Sequence, residues 1–449
     1  MAFLTTLAPE LLLKILACLL KDPPSLLRCA HVCRALRPYA LEVFFRDIEL
    51  VETTKSVDRT REFAELLESN HTIASCIRTL RLAVDLSRRR DGPISPVMLH
   101  FNVLFEDMRI SYGRETWADP SEYPYVLGNI HLHRLSYLRD LALDDGMMLK
   151  DPVREVVAML QVLPRLERLR LRGVLVASMS PTPRTFQGSI AALPVAKDKP
   201  HMSLKTLELD YAPKFPLYEL VRQLLEEFGD GLRLESLVAR CPQWENLVEH
   251  HAGWIPFISA MKASLRHLDI STGERDYGML AGREGSDDTL SCHTSLFDVL
   301  RECEDLRTLR LDYILPTIIS RRSIDLHRAD FLQSLCVLLE SRPALSDHLE
   351  QLTLDMVDWN EIMVSVDRTL ADRLSRVLTD AKHYPEFKMF RLEVLVEDAL
   401  YSDEEMPTLE EENMVVFMRW IDVFDGFLPY SQQDHGRVKF KFTVFSAPS

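Results

Sequence analysis

A short apolar pattern recurs along most of this chain and constrains its fold more than any other sequence feature. Each copy has an apolar residue first, a leucine or aromatic residue fourth and a further apolar residue sixth. Because alternate residues of an extended chain point the same way, each copy predicts a short strand with one buried face. A single strand cannot bury that face, so the units must stack. The copies begin at Ile77, Leu138, Leu166, Leu204, Leu234, Leu265, Leu306, Leu349 and, more weakly, Phe387.

The copies are spaced irregularly, by about 28 to 43 residues, and the long gap after Ile77 predicts another repeat around Leu99–Phe105. Between the copies, apolar residues recur every three or four positions, which predicts helices. These helical patterns span Val153–Leu160, Leu217–Leu225, Phe297–Leu300, Phe331–Leu339 and Leu370–Leu378. The chain therefore predicts an α/β fold of curved solenoid type, with parallel strands on the concave side and helices outside. The alternative is an α/β or helical-repeat protein in which the same residue pattern occurs by chance.

Residues 1–50 differ from the repeats and predict three short helices, the first from Pro9 to about Leu20. Ser25 is the candidate N-cap of a second helix, Leu26–Arg37, and the third runs over Tyr39–Arg46. The first helix is apolar around nearly its whole circumference, whereas a surface helix needs only one apolar stripe. Two short neighbours cannot cover every face, so we expect either the rest of the chain or a partner protein to cover the remainder.

The same residues resemble an F-box. The resemblance covers about 45 residues and rests on Leu7–Leu16, then Leu26–Arg37, then Phe44–Ile48. An F-box implies docking on the small Skp-type adaptor of cullin–RING ubiquitin ligases, by helix-against-helix burial and without chemistry in this chain. The residues that the resemblance assigns to the adaptor are Leu7, Pro9, Glu10, Leu11, Leu12, Ile15, Leu16, Val32, Cys33 and Leu36.

The repeats resemble an irregular leucine-rich-repeat solenoid, and the whole chain is similar to fungal F-box proteins with divergent leucine-rich regions. The implied domains are an F-box at 1–50, a solenoid at 51–385, and a last repeat with a C-terminal cap at 386–449. The implied function is that of a substrate-recognition subunit of an SCF-type cullin–RING ubiquitin ligase that binds an unknown protein substrate. A non-catalytic interaction scaffold that engages no ligase is the alternative, and an enzyme hidden by divergence is a third.

On the predicted concave wall, residues between the leucines face outward and form a polar surface of mixed sign. Arg168, Arg170 and Arg172 make one basic row beside Asp140, Asp144, Glu208 and Asp210 of neighbouring copies. Such a row suits an acidic or phosphorylated peptide. The alternative is a solvated strand face that the adjacent carboxylates neutralise.

Composition argues against several other functions. The formal net charge is −15 and the pI about 5.5, so the long-range field repels phosphates, and we expect no nucleic-acid or membrane partner. The eight cysteines are scattered without a CxxC pair, which predicts reduced thiols in the cytoplasm or nucleus. Leu11–Leu20 is too short to span a bilayer, which needs about 20 residues. A signal peptide there is an alternative that the absence of a preceding basic residue disfavours.

No common catalytic or nucleotide-binding motif is present in the sequence. We therefore predict no catalytic residue, no metal site and no cofactor. Two weaker alternatives are a zinc site built from Cys29, His31, Cys33 and a distant fourth ligand, and a nucleophile–base arrangement near Cys292–His293 and Glu302–Cys303.

Three stretches predict surface insertions because they are rich in small polar or acidic residues, namely Ser178–Pro200, Ser271–Thr294 and Glu397–Glu412. The last segment predicts a helix at Met414–Phe427 and a strand at Val438–Val444. We interpret this pair as a cap on the last repeat or as one more repeat.

Overall fold

The computed structural model describes residues 7–53, 58–85, 132–144, 148–149, 151–176, 203–210, 217–240, 255–271, 296–312, 332–341, 347–359, 368–397 and 439–446. The chain divides into two compact units. Unit 1 comprises residues 1–208 and 212–216, and unit 2 comprises 209–211 and 217–449. The predicted repeat at 99–105, the predicted helix at 414–427 and nearly all of the three predicted insertions lie outside the described residues.

Unit 1 begins with three short helices and continues with strands and helices in alternation. Its helices are α1 (Pro9–Ala17), α2 (Pro23–Val32), α3 (Arg37–Phe45), α4 (Asp58–Ser69), α5 (His71–Cys76) and α6 (Pro152–Val162). Its strands are β1 (Asp47–Thr53), β2 (Thr79–Asp85), β3 (Asp140–Leu143), β4 (Met148–Leu149), β5 (Arg168–Arg172) and β6 (Leu175–Val176). Strand β7 (Thr206–Asp210) begins in unit 1, and its last two residues belong to unit 2.

The strands of unit 1 form an open, all-parallel sheet in the order β1-β2-β3-β5, with β4 and β6 paired separately. The repeat leucines are in register, so that Leu80 lies beside Leu141 and Leu141 beside Leu169. All three are at most 1% exposed and form part of the core between the sheet and its helices. Parallel strands need crossover connections, and helices lie in two of these, with α4 and α5 between β1 and β2 and α6 between β3 and β5.

Unit 2 repeats this arrangement. Its helices are α7 (Leu217–Phe228), α8 (255–261), α9 (296–300), α10 (332–340) and α11 (Arg368–Thr379). Its strands are β8 (Ser236–Arg240), β9 (His267–Ser271), β10 (Thr308–Asp312), β11 (Gln351–Trp359), β12 (Met389–Glu397) and β13 (Lys439–Ser446). They pair in parallel and in chain order, and the sheet does not close.

The nine predicted strands are confirmed as β2, β3, β5 and β7 to β12, and the mixed α/β class with parallel strands and flanking helices is confirmed with them. The first residue of every copy is buried, from Ile77 at 0% to Phe387 at 1% exposure. The C-terminal strand pairs in parallel with β12, in the way that one more repeat would. The F-box and leucine-rich-repeat assignments themselves stay predictions.

Three local predictions need correction. Helix α1 ends at Ala17 rather than near Leu20, and a run of turns follows it. Helix α2 begins at Pro23, earlier than predicted, because its two prolines occupy the first turn, where no N–H is needed, and it ends at Val32 rather than Arg37. Its N-cap is Asp22, whose carboxylate accepts a hydrogen bond from the backbone N–H of Ser25 at 3.3 Å, so Ser25 is not the cap.

Strand β1 was not predicted at all. Phe45, Ile48 and Leu50 have the repeat spacing, but the fourth residue is isoleucine rather than leucine or an aromatic residue. The strand pairs with β2 along seven residues, from Asp47 opposite Thr79 to Thr53 opposite Asp85. It also follows α3 directly, and α3 contacts both β1 and α5. The three N-terminal helices therefore lie in one compact unit with the first repeats.

Candidate protein interfaces

The three N-terminal helices bury a small core of their own. Leu16, Leu26, Ala30, Ala40 and Val43 are each at most 7% exposed and form one cluster. Partly buried apolar residues surround it, namely Leu13, Leu19, Cys29, Tyr39 and Phe44. Burial of this kind contributes about 25 cal/mol per Å² of apolar surface, so the cluster holds the three short helices together.

A second set of apolar residues on these helices faces solvent. Leu11 is 49% exposed and Ile15 46%, and the two lie one turn apart on α1. Leu20 is 52% exposed and Val32, the last residue of α2, 63%. Among the residues described, only Tyr137 and Val337 are further large apolar side chains with comparable exposure. We call Leu11, Ile15, Leu20 and Val32 the apolar strip.

The structure divides the ten residues predicted to contact an adaptor into three groups. The exposed ones are Pro9, Glu10, Leu11, Ile15 and Val32, and the partly exposed ones are Leu7, Cys33 and Leu36. Leu12 and Leu16 are each only 4% exposed. The chain itself therefore covers these last two side chains, because the helices turn that face inward, and only the other eight are accessible to a partner.

The polar side of the unit 1 sheet carries a buried carboxylate between two arginines. Asp144 follows β3 and is 1% exposed. Its Oδ2 accepts hydrogen bonds from Arg81 Nε at 2.5 Å and from Arg170 Nη2 at 3.0 Å. Arg81 also donates to Glu49 at 2.7 Å. Asp144 was predicted to face outward into solvent, but arginines on the two neighbouring strands hold it in a closed network.

The predicted basic row is consequently not uniform. Arg170 is committed to Asp144, whereas the Arg168 side chain is 60% exposed and lies 3.6 Å from Asp140. Arg172 is exposed and forms no ion pair with another described residue. The three arginines therefore do not present one continuous cationic surface, and Arg170 in particular has little capacity for a ligand.

Unit 2 contains a larger network of the same kind. Arg310 donates to Asp355 at 2.7 Å and to Glu393 at 2.7 Å, and Asp269 lies 3.8 Å from it. Asp269 accepts in turn from Arg240 at 2.5 Å. Burial opposes the charged guanidinium of Arg240, but the charge and hydrogen bond of Asp269 outweigh it and raise the pKa of Arg240. The arginines and carboxylates of this face therefore pair mainly with one another, as those around Asp144 do.

A groove opens elsewhere in unit 1, along the edge of the sheet where its parallel strands begin. We call this depression of about 590 Å³ the edge groove. Its cationic residues are Arg46, Arg78, Arg139, Arg168 and Lys205. Its carboxylates are Glu42, Asp47, Asp140 and Glu167. Beside it, the guanidinium groups of Arg78 and Arg165 lie over the ring of Tyr137, at 5.2 and 4.4 Å from its centroid, where the cation–π attraction favours this placement.

Sequence reasoning missed the edge groove, although a signal for it exists. The second residue of every repeat copy is charged: Arg78, Arg139, Glu167, Lys205, Glu235, Arg266, Arg307, Glu350 and Lys388. This position immediately precedes each strand, so parallel pairing brings these side chains to one edge within each unit. The leucine pattern alone does not indicate this row of charged residues.

Among the described residues, no group of three or more metal-ligating side chains occurs, and Cys29, His31 and Cys33 form no such group. Burial raises the pKa of the Cys303 thiol to about 12 and that of Cys336 to about 11, which suppresses the nucleophilic thiolate. Cys292 and His293 lie outside the described residues. No helix in the described part of the chain is long and apolar enough to span a bilayer.

Comparison with known proteins adds no assignment. A scan against family models and a search of curated proteins find no match for this sequence.

Proposed function

We propose that this chain is the substrate-recognition subunit of an SCF-type cullin–RING ubiquitin ligase. Helices α1 to α3 dock on the Skp-type adaptor, which in turn binds the cullin scaffold, and the repeat units hold the target protein. The chain transfers no ubiquitin itself. It raises the local concentration of the target beside the transfer machinery. The proposal places the protein in the cytoplasm or nucleus, where its thiols stay reduced.

The apolar strip is the single observation that carries this proposal. The side chains of Leu11 and Ile15 are nearly half exposed, although the other face of the same helix is packed in the core of α1 to α3. Fully burying a side chain of this size contributes about 1.5–3 kcal/mol, so covering the strip would stabilise a complex substantially. The F-box resemblance assigns Leu11, Ile15 and Val32 to the adaptor interface, and these are among the most exposed apolar residues described.

Co-purification with a Skp-type adaptor tests the proposal directly. The double variant Leu11→Asp with Ile15→Asp places two charges in the strip, and we expect it to abolish co-purification because each carboxylate would have to be desolvated. The matched control is Val337→Asp, which changes a residue with 42% exposure on α10 of unit 2. We expect the control to bind the adaptor like the unmodified chain.

Two results would contradict the proposal. The first is an unmodified chain that fails to bind the adaptor, which would favour a scaffold that engages no ligase. The second is a double variant that binds as well as the control. Circular dichroism of both variants should match that of the unmodified chain, since all three positions are exposed.

A further inference from the structure

We propose that the edge groove of unit 1 binds an extended acidic segment of a target protein, with carboxylate or phosphate groups as the recognised chemistry. The contacting cations are Arg78, Arg139, Arg168 and Lys205, each at or next to the start of one of four strands. This assignment moves target recognition from the predicted row Arg168, Arg170 and Arg172 to the edge where the strands begin.

The first reason is that three of the four cations reach farther into solvent than the carboxylates beside them; the exception is Arg78, which is 25% exposed beside Glu42 at 38%. Arg139, Arg168 and Lys205 have side chains that are 59%, 60% and 53% exposed. Asp140 and Glu167, their partners, are each 36% exposed. An approaching ligand therefore meets guanidinium and ammonium groups first, although the chain as a whole is acidic.

The second reason is that these ion pairs are loose. Arg139 lies 3.6 Å from Glu167, Arg168 lies 3.6 Å from Asp140, and neither arginine donates a side-chain hydrogen bond to a described residue. On the polar face of the same sheet, by contrast, Arg81 donates to Asp144 at 2.5 Å. Guanidinium donors that are not committed to a carboxylate can form charge-assisted, bidentate bonds with an incoming carboxylate or phosphate.

The third reason is spacing. Neighbouring strands lie about 4.8 Å apart, so four consecutive strand starts cover roughly 14 Å. An extended peptide rises about 3.3 Å per residue, so a segment of about four or five residues can meet one cation per strand. Arg78 is held in place at one end by Tyr137, which limits the entropy lost on binding.

This inference names the target chemistry of the proposed ligase subunit and in that sense rests on the proposed function. Its test is nevertheless independent, because peptide binding is measured on the full chain without adaptor. Failure of peptide binding would leave adaptor docking intact, and failure of adaptor docking would leave peptide binding intact.

Fluorescence anisotropy with three labelled peptides tests the inference. One peptide alternates Glu and Ser, the second is the same peptide with its serines phosphorylated, and the third alternates Gly and Ser. We expect saturable binding of the acidic peptides, weakened by added salt, and none of the neutral peptide. Tighter binding of the phosphorylated form would identify phosphate as the preferred group, whereas equal binding would identify carboxylate; either result supports the groove.

The variant Arg139→Glu with Arg168→Glu should weaken acidic-peptide binding by about tenfold or more, because both donors become repulsive charges. Arg139→Gln with Arg168→Gln removes the charges without reversing them and should weaken binding less. The matched control, Arg28→Glu with Arg154→Glu, makes the same change in net charge at two exposed positions of unit 1 outside the groove. We expect it to leave binding unchanged.

Three results would overturn the inference: no saturable binding of either acidic peptide, an equal loss in the groove variant and the control, or equally tight binding of a short oligothymidine. The last result would mean that the groove accepts any polyanion rather than an acidic peptide.

Discussion

The guanidinium of Arg310 donates to the carboxylate of Asp355 over 2.7 Å, and that carboxylate has no solvent exposure although it lies on the polar side of its strand. The Arg310 side chain is 26% exposed and donates at the same distance to Glu393 on β12. Burial opposes its charge, but the surrounding carboxylates of Asp355, Asp269 and Glu393 outweigh it and raise the pKa of Arg310. One arginine thus joins three successive strands, β10, β11 and β12, across their polar face.

The first prediction concerns this arginine. Arg310→Met should destabilise unit 2 by about 3–5 kcal/mol, because it removes the central cation from a set of buried carboxylates. Urea unfolding, followed by circular dichroism, would show this as a lower midpoint. Arg154→Met is the control, since that side chain is 75% exposed and lies 3.8 Å from its partner Asp151, and it should change stability by less than about 0.5 kcal/mol. Equal midpoints for the two variants would show that the network contributes little.

The second prediction separates the core of the N-terminal helices from their apolar strip. Leu16→Ala removes a side chain that is 4% exposed and should cost about 2–5 kcal/mol by leaving a cavity. Leu11→Ala, at 49% exposure, should cost less than about 1 kcal/mol in the isolated chain. Protease sensitivity of residues 9–45 measures both effects. If Leu11→Ala exposed this segment to proteolysis as strongly as Leu16→Ala, the strip would be part of the chain's own core.

The third prediction concerns thiol reactivity. At a pH of about 8.5, near the ordinary thiol pKa, iodoacetamide should modify the exposed Cys18 in the native protein and leave Cys303 and Cys336 intact. Burial excludes the reagent and also raises the pKa values of these two thiols to about 12 and about 11. Peptide mass spectrometry identifies the modified sites, and unfolding in urea should make all three react alike.

The same pKa shifts predict how the stability of the folded protein changes with pH. A thiol whose folded-state pKa is raised keeps its proton in the native state at a pH where the unfolded chain has lost it. Its stabilising contribution is complete below the ordinary value of 9.0 and is lost as the pH rises toward 12 for Cys303. We therefore expect native stability to fall in this alkaline range, and by less in a Cys303→Ala variant when each is compared with its own stability at neutral pH. Native Cys303 that reacted as fast as Cys18 would contradict the burial on which both expectations depend.

The strands of the repeats were predictable because their information is local. The position of a leucine within a six-residue pattern determines which way it points in an extended chain, and parallel stacking is then required to bury it. Leu80, Leu169 and Leu352 are buried as the pattern predicts. The boundaries of α1 and α2 were less predictable, because Pro23 and Pro24 suit both the end of one helix and the first turn of the next.

On the sheet face opposite the leucines, burial depends on contacts that a local sequence pattern does not contain. Spacing correctly places Asp144 and Asp355 on the side of their strands opposite the leucines, where it predicts a polar, outward-facing surface. Both side chains are nevertheless at most 1% exposed. Their burial depends on arginines 63 and 45 residues away, Arg81 and Arg310, which parallel pairing brings alongside. No short stretch of sequence contains both partners of either pair.

The sequence alone thus determined the repeating strand–helix unit, the inward face of each strand and the surplus of apolar residues on the first helix, since each follows from residue spacing. Only the tertiary structure decided which apolar residues of that helix remain exposed and which arginines are committed to carboxylates. Those outcomes depend on the register between strands and on the packing of α1 to α3, and both join residues that are distant in the chain. The edge groove belongs to this second group, because its cations converge only when the strands lie side by side.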